Sequence, residues 1–301
     1  MKDFSDEQHC RDFLVQQRWG GCPECPYCGS DKWYRIENGK RFKCGNKECY
    51  KKYSVTVGTV FHASNIPLTT WFPAMYLITS HKKGISSVQL AKDLGVTQKT
   101  AWFINHRIRE SLKDKGSSLL GGTVEVDETY VGGKLKNKHN KYRKENITKS
   151  NDNKTTVMGF VSREQGLKVK VLDSRTEIMQ SVRDSVDTQA KLITDEAGAY
   201  YHAIKEYPNH EVVKHSQNEF VRGDIHTNTV EGFFSHLKRQ IYGIHHFVTA
   251  KHLQRYADES AYRYNLKDMK DGERFVFSLS HIEGRLPYKI LVHGKSNKES
   301  Q

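Results

Sequence analysis

The sequence predicts a multidomain α+β chain: a cysteine-bearing ribbon, a helix-turn-helix pair, then an α/β domain on a mixed five-stranded sheet. Three observations predict it. Cysteines recur as two close pairs around strand-like segments; a two-helix apolar pattern breaks at Gly95; and from Thr123 onward the alternation reads strand–strand–strand–helix–strand. The expected divisions are residues 1–62, 63–115 and 116–265, with 266–301 as a C-terminal extension of unread role.

Residues 1–19 are polar, with a short helix expected through Arg11–Gln17. Cys25-x2-Cys28 and Cys44-x4-Cys49 follow, fifteen residues apart, with WYRI and RFKC between them as short strands and YSVTVGTVFH after them as another. Two turn-borne thiolate pairs around strands are what a tetrahedral four-thiolate zinc site requires. All four positions are sulfur and none is left open, so one structural Zn²⁺ is expected, which folds the module and performs no chemistry. Gly29 and Gly45 directly follow Cys28 and Cys44, as tight turns require. Cys10 stands apart as a bystander.

Residues 66–84 read as a helix. In residues 86–112, Val88, Ala91 and Leu94 are expected to face inward on a first helix, Gly95 to sit at the turn and Thr97 to cap a second helix. Ala101, Ile104, Ile108 and Leu112 would bury one side of that second helix. Gln98, Lys99, Trp102 and His106 would face outward, toward a DNA major groove. KDKGSSLLGG (113–122) has linker composition.

TVEVDETYV (123–131) alternates, with Val124 and Val126 on one face and Glu125 and Asp127 on the other. A lysine-rich run over 134–154 reads as a solvated loop that could also hold DNA phosphates. TTVMGFVS and GLKVKVLD read as a meander, followed by a helix over about Thr176–Ala190, a strand ending in Asp195, and a fifth strand in EVVKHS (211–216). In 226–241, Val230, Phe233, Phe234, Leu237 and Ile241 form an apolar stripe at helical spacing. Asn228, Glu231, Ser235 and Lys238 form a polar stripe of the same period. Asn228 with Glu231 also fits a plain helix-capping pair. Two strand-borne carboxylates and one helix-borne carboxylate can converge only in the fold, and would then repel one another unless divalent metal lay between them.

The formal charge is +13, which calls for an anionic partner, nucleic acid before an acidic membrane surface. No apolar run reaches membrane-spanning length and the N-terminus is polar, so a cytoplasmic chain is expected.

Asp127, Asp195 and Glu231 with Lys238 resemble the catalytic signature of DDE-type insertion-sequence transposases, whose catalytic domain is RNase H-like. VDETYVGGK, ITDEAGAY and the stretch from His226 to Asn265 are similar to the ISXO-type branch, which carries a zinc ribbon and a helix-turn-helix ahead of that domain. The likeness covers roughly residues 20–265. It favours Cys25 over Cys22 as the partner of Cys28, because CPYCG matches the family's knuckle. It implies two catalytic Mg²⁺ (or Mn²⁺) ions on Asp127, Asp195 and Glu231, with Lys238 touching a phosphate. It further implies cleavage and joining of double-stranded DNA at terminal inverted repeats and at a target, by a homo-oligomer on DNA, in a prokaryotic nucleoid. Some members of the branch carry Asn at the third position, so Asn228 stays open as a ligand beside Glu231; Glu125 and, more weakly, Asp224 stand as accessory acids. Two other classes remain: a DNA-binding regulator without catalysis, and an RNase H-like nuclease that cuts without joining.

Overall fold

The computed structural model describes residues 4–116, 118–133, 154–201 and 203–293. The lysine-rich run over 134–153 and the tail over 294–301 lie outside them. The chain divides into two compact units, residues 1–112 with 268–301, and residues 113–267.

The first unit begins with helix α1 (Glu7–Trp19), capped by the Asp6 carboxylate, which accepts the His9 amide at 2.8 Å, and ended by left-handed Gly20. Strands β1 (Trp33–Ile36), β2 (Arg41–Cys44) and β3 (Lys52–Tyr53) form an antiparallel sheet in that order. The strand expected over 53–62 stops after Tyr53. Ser54 and Thr56 share a hydroxyl hydrogen bond of 2.8 Å, Thr59 donates its own to the Thr56 carbonyl at 2.7 Å, and Gly58 takes a positive φ. Local hydroxyl bonding thus outcompetes the ladder.

Helices α2 (Leu68–Ser80), α3 (Ser87–Leu94) and α4 (Gln98–Ser111) pack together. Ser86 caps α3 through the Gln89 amide, Gly95 ends it in the left-handed region (φ 65°), and Thr97 caps α4 through the Thr100 amide. On α4 the expected side, Ala101, Ile104, Ile108 and Leu112, is buried. On α3 the buried pair is Leu90 and Ala91, while Val88 is 53 % exposed. At about 100° per residue, Val88 lies roughly 110° from the mean direction of Leu90, Ala91 and Leu94, so three-residue spacing chose the wrong edge of the stripe.

Helices Asp271–Ser280 and Tyr288–His293 complete this unit. Phe275 sets its ring 5.9 Å from Phe72 of α2, and the buried Arg274 donates to the Thr79 carbonyl at 3.0 Å. The Val60 amide bonds the Ile282 carbonyl at 2.8 Å.

The second unit is built on β4 (Thr123–Val131), β5 (Thr155–Ser162), β6 (Gly166–Leu172), β7 (Lys191–Asp195) and β8 (His210–Val213), in the order β6-β5-β4-β7-β8. β4, β5 and β6 pair antiparallel; β4, β7 and β8 pair parallel. One face packs Val124, Val126, Phe160 and Leu192 against α5 (Ile178–Ser185) and Tyr200. Short α6 (Ala203–Glu206) joins β7 to β8. The opposite face packs Val157, Val161 and Leu167 under α7 (Asn228–Gln240) and α8 (Ala250–Asn265) through Val230, Phe233, Phe234, Leu237 and Leu253. α5 is shorter than expected because the chain leaves it to bridge Leu120: the Leu120 amide bonds the Ser185 carbonyl and the Asp187 amide bonds the Leu120 carbonyl. The fifth strand likewise ends at Val213, before a 3-10 turn at His215–Gln217.

Gly159 of β5 lets α7 lie directly on the sheet. A Cβ there would stand 2.7 Å from Val230 Cγ2 and 3.1 Å from the Phe234 ring, and Gly159 pairs with Asp127 in the register. Gly159→Val is expected to push α7 off β5 and to destabilise the second unit by roughly 1–3 kcal/mol through overpacking. A thermal melt unchanged from wild type would contradict that close approach.

Candidate metal centres and nucleic-acid interface

The knuckle cysteines gather from two turns. Cys25, Cys28, Cys44 and Cys49 have all their sulfurs within 4.8 Å of one another, with Cys25–Cys49 at 3.8 Å and Cys28–Cys44 at 3.6 Å. Four thiolates bound at about 2.3 Å around a tetrahedral zinc lie about 3.8 Å apart, so the donor set and its spacing suit that ion. Gly29, with φ 71°, closes the first turn by donating to the Cys25 carbonyl at 2.9 Å. Gly45 sits where a Cβ would come within 3.0 Å of Lys32 Cβ. The wider second spacing is filled by Asn46: its Oδ1 accepts the Glu48 amide at 3.0 Å and its carbonyl accepts the Cys49 amide at 3.1 Å. The Ser30 amide is the main cause holding the Cys28 thiol down to about 7. Cys22 is exposed outside this group, and Cys10 is fully buried, its thiol pushed up to about 11 chiefly by burial.

The acids of the second unit lie on three elements, Asp127 on β4, Asp195 at the end of β7 and Glu231 on α7. β4 and β7 pair in parallel as far as Glu125 opposite Ile193; Asp127 and Asp195 each lie two residues past that last pair, and the Asp195 charge acts on Asp127. Both lie on the sheet face covered by α7, since Val124, Val126 and Leu192 occupy the other. The Asp127 carboxyl is pushed up to about 7, first by burial and then by the negative charges of Glu128, Asp195 and Glu231, while the Glu128 amide, 2.7 Å from Oδ1, works against the rise. Asp195 accepts the Ala197 amide at 3.0 Å, which turns the chain as β7 ends. Glu231, in the first turn of α7, is half exposed; it receives the Thr227 hydroxyl at 3.0 Å and has His215 Nε2 4.0 Å away. Among the described residues only the four cysteines form a group of three or more potential ligands drawn together as tightly as 4.8 Å.

Asn228 is exposed at the first position of α7, and Lys238 is half-buried two turns beyond Glu231. The Asn228–Glu231 capping pair does not form: Thr227 is the N-cap and makes no side-chain cap bond. The amides of Thr229 and Val230 instead reach Glu125 of β4, at 2.9 and 3.3 Å. Glu125 does share the face of Asp127, but it is fully buried and also accepts from Arg163 Nε (2.9 Å) and Nη2 (2.8 Å) and from the Thr229 hydroxyl (2.8 Å), so it is not an open accessory acid. Asp224 is exposed and paired with Lys191 at 2.8 Å.

Sequence reasoning missed three neighbours of the acids. Glu128 points to the other face, where Tyr200 donates its hydroxyl to the carboxylate, and burial raises its pKa. Its place beside Asp127 was the available signal. Thr227 and His215 carried none, because they reach Glu231 only through the fold.

On α4, Gln98 and Lys99 are exposed and Trp102 is half-buried, but His106 is fully buried, its ring 4.5 Å from the Trp102 ring. From Ile104 to Arg109 every residue of α4 is buried, so the outward stripe stops at Trp102 and His106 is not a groove-facing residue. Helical periodicity shows which side packs first; it is blind to a second covering on the far side.

Two matches to known domains define the class as a transposase. Residues 119–265 match the ISXO2-like transposase domain, and residues 5–52 match the transposase zinc-ribbon domain. The chain thus carries a transposase domain of the ISXO2-like family together with a transposase zinc ribbon. It is also similar to an uncharacterized protein in transposable element ISH50 of Halobacterium salinarum, with 28 % identity over 258 residues, covering 79 % of this chain and 84 % of the relative. The four-cysteine ribbon is a structural zinc site. Among the described residues no helix is long and apolar enough to cross a membrane.

Proposed function

We propose that the second unit is an RNase H-like catalytic domain that cleaves DNA at the terminal inverted repeats of an insertion sequence and transfers the freed strand to target DNA. The observation that supports this reading is that Asp127 and Asp195 follow the β4–β7 ladder on the sheet face under α7, and that the charges of Asp195 and of Glu231 on α7 both reach Asp127. Oxygen donors on three elements, one pushed up to about 7 by burial and by the others' charge, suit a hard divalent cation. Asp127, Asp195 and Glu231 would hold Mg²⁺, or Mn²⁺ in its place. When bound, such ions polarise the scissile phosphate and make water or a 3′-hydroxyl nucleophilic near neutral pH. Asp127 and Asp195 would hold the cations from the sheet, and Lys238 would contact a neighbouring phosphate as a point charge. Glu231 is preferred over Asn228 as third ligand because it lies two turns before Lys238 on one helix face and adds a negative charge that a neutral amide does not.

In the first unit, α3 and α4 act as a helix-turn-helix, with Gln98, Lys99 and Trp102 reading or gripping double-stranded DNA beside the ribbon. The protein works as a homo-oligomer on paired element ends, at the nucleoid.

Incubating the full chain with Mg²⁺ and labelled repeat DNA tests the reading. Cleavage followed by joining supports it; cleavage alone points to a nuclease, and neither points to a regulator. Alanine at Glu231 is expected to abolish cutting while alanine at Asn228 spares it; the reverse pattern would move the third ligand to Asn228. Lys99→Ala is expected to weaken repeat binding and to lower the salt slope of log K by about 1, as loss of one phosphate contact should. An unchanged slope in a filter-binding titration would take α4 off the DNA.

A further inference from the structure

The segment that leads into α7 is tied to one buried carboxylate through His226, Thr229 and the Val230 amide. Glu125, on β4 two residues before Asp127, has no exposed surface. It accepts the Thr229 amide and hydroxyl, the Val230 amide and two guanidinium bonds from Arg163. His226 Nδ1 lies 3.4 Å away, and Arg163 Nη2 also meets the His226 ring at 3.2 Å. The amino end of α7 offers free amides, and here they are satisfied by a side chain from another element of the sheet. The contact fixes where the first turn of α7 stands along β4, and Glu231 is one residue beyond Val230 in that turn. Thr227, on the same short segment, then holds the Glu231 carboxylate.

We propose that Glu125 is the positioning residue of the catalytic site. Anchored by Arg163, its carboxylate clamps the N-terminus of α7 to β4, so that Glu231 stands within electrostatic reach of Asp127 and Asp195 and the three can share one divalent cation. The proposal rests on the metal-site reading above. Gln cannot replace Glu125: its amide oxygen can accept one donor group, but its NH₂ would face either Arg163 or the α7 amides, donor against donor. The fold is held meanwhile by the apolar contacts of Val230, Phe233, Phe234 and Leu237, which Glu125 does not make. A lost clamp should therefore loosen the ligand geometry more than the core.

The test is Mn²⁺ binding by the zinc-loaded full chain, read from the electron paramagnetic resonance of free Mn²⁺ and compared with Mg²⁺-dependent cleavage. Glu125→Gln is expected to raise the half-saturating Mn²⁺ concentration roughly 10–100-fold, the scale for loss of a residue that orients metal ligands, with helical circular dichroism retained. Thr229→Val keeps the backbone amide and the side-chain shape but removes the hydroxyl, so it folds even if Glu125→Gln does not; a several-fold rise is expected. Wild-type Mn²⁺ affinity in Thr229→Val and in any folded Glu125→Gln would overturn the proposal. Failure of wild type itself to bind Mn²⁺ would overturn the metal-site reading and the proposal with it. Loss of binding in Asp127→Asn but not in the Glu125 and Thr229 variants would leave the metal site standing and remove only the clamp.

Discussion

Asp127→Asn is expected to lower strand cleavage by at least about a thousandfold, on the scale of removing a preorganised charge-stabilising group, while leaving the chain folded. Stability should separate this loss from misfolding, because Asp127 is held in an unfavourable place. Its carboxyl is pushed up to about 7, first by burial and then by Glu128, Asp195 and Glu231, against an ordinary value of 3.8. A carboxyl with a raised folded-state pKa contributes stability that is fully present below its unfolded pKa and is lost as pH rises through the folded one. Without divalent cation, the second unit should therefore lose on the order of 3 kcal/mol of stability between pH 5 and pH 8 from this group. Asp127→Asn, which cannot ionise, should show a flatter profile and be more stable than wild type at pH 8. Mg²⁺ favours the ionised form, so it should stabilise wild type more at pH 8 than at pH 5 and leave Asp127→Asn unmoved. Denaturant melts of the zinc-loaded protein with and without Mg²⁺ give the comparison. Parallel pH profiles for variant and wild type, or normal cleavage by the variant, would remove Asp127 from the centre of the site.

How much of this site could be read from the chain depends on which residues meet locally. Strand alternation put Asp127 on the face opposite Val124 and Val126, and it lies there in the structure, two residues past the last β4–β7 pair. The apolar stripe of α7 was equally legible, because Val230, Phe233, Phe234 and Leu237 all pack against the sheet. The cap of the same helix was not: a local rule pairs Asn228 with Glu231, whereas the structure satisfies those amides from Glu125, more than a hundred residues earlier. Local periodicity cannot weigh a tertiary acceptor. It failed similarly on α4, where His106 lies across from the apolar stripe and is nevertheless buried. On α3 a spacing of three favoured Val88 over Leu90, because eight residues are too few to fix the phase of a stripe. The β-rich composition of residues 53–62 misled for another reason: threonines that favour strands also hydrogen-bond locally, the Thr59 hydroxyl to the Thr56 carbonyl and the Thr56 hydroxyl to Ser54.

Zinc removal should have the other large effect, confined to the ribbon. Its strands run only four, four and two residues, too little sheet to fold without a staple. Phe42, Cys44 and Tyr53 are buried beside the knuckles, so the apolar contacts and the metal ligands occupy the same small volume. Apparent binding energies of structural zinc are roughly 10–16 kcal/mol near pH 7, larger than the stability of a typical domain, so binding and folding of the ribbon are one event. A strong chelator should therefore release one Zn²⁺ per chain, expose residues 22–53 to protease and abolish repeat binding. The sheet of residues 113–267 should survive, since its two apolar faces contain no cysteine. Alanine at Cys28 or Cys49 should reproduce the chelated state. Serine at Cys22 should keep full zinc content, because Cys22 is exposed outside the four-sulfur group. Metal analysis of the purified variants decides between the two CxxC pairings. Zinc lost from Cys22→Ser and retained in Cys28→Ala would move the first knuckle to Cys22 and Cys25. Protease resistance unchanged after full zinc release would mean that the ribbon stands on its aromatic contacts alone.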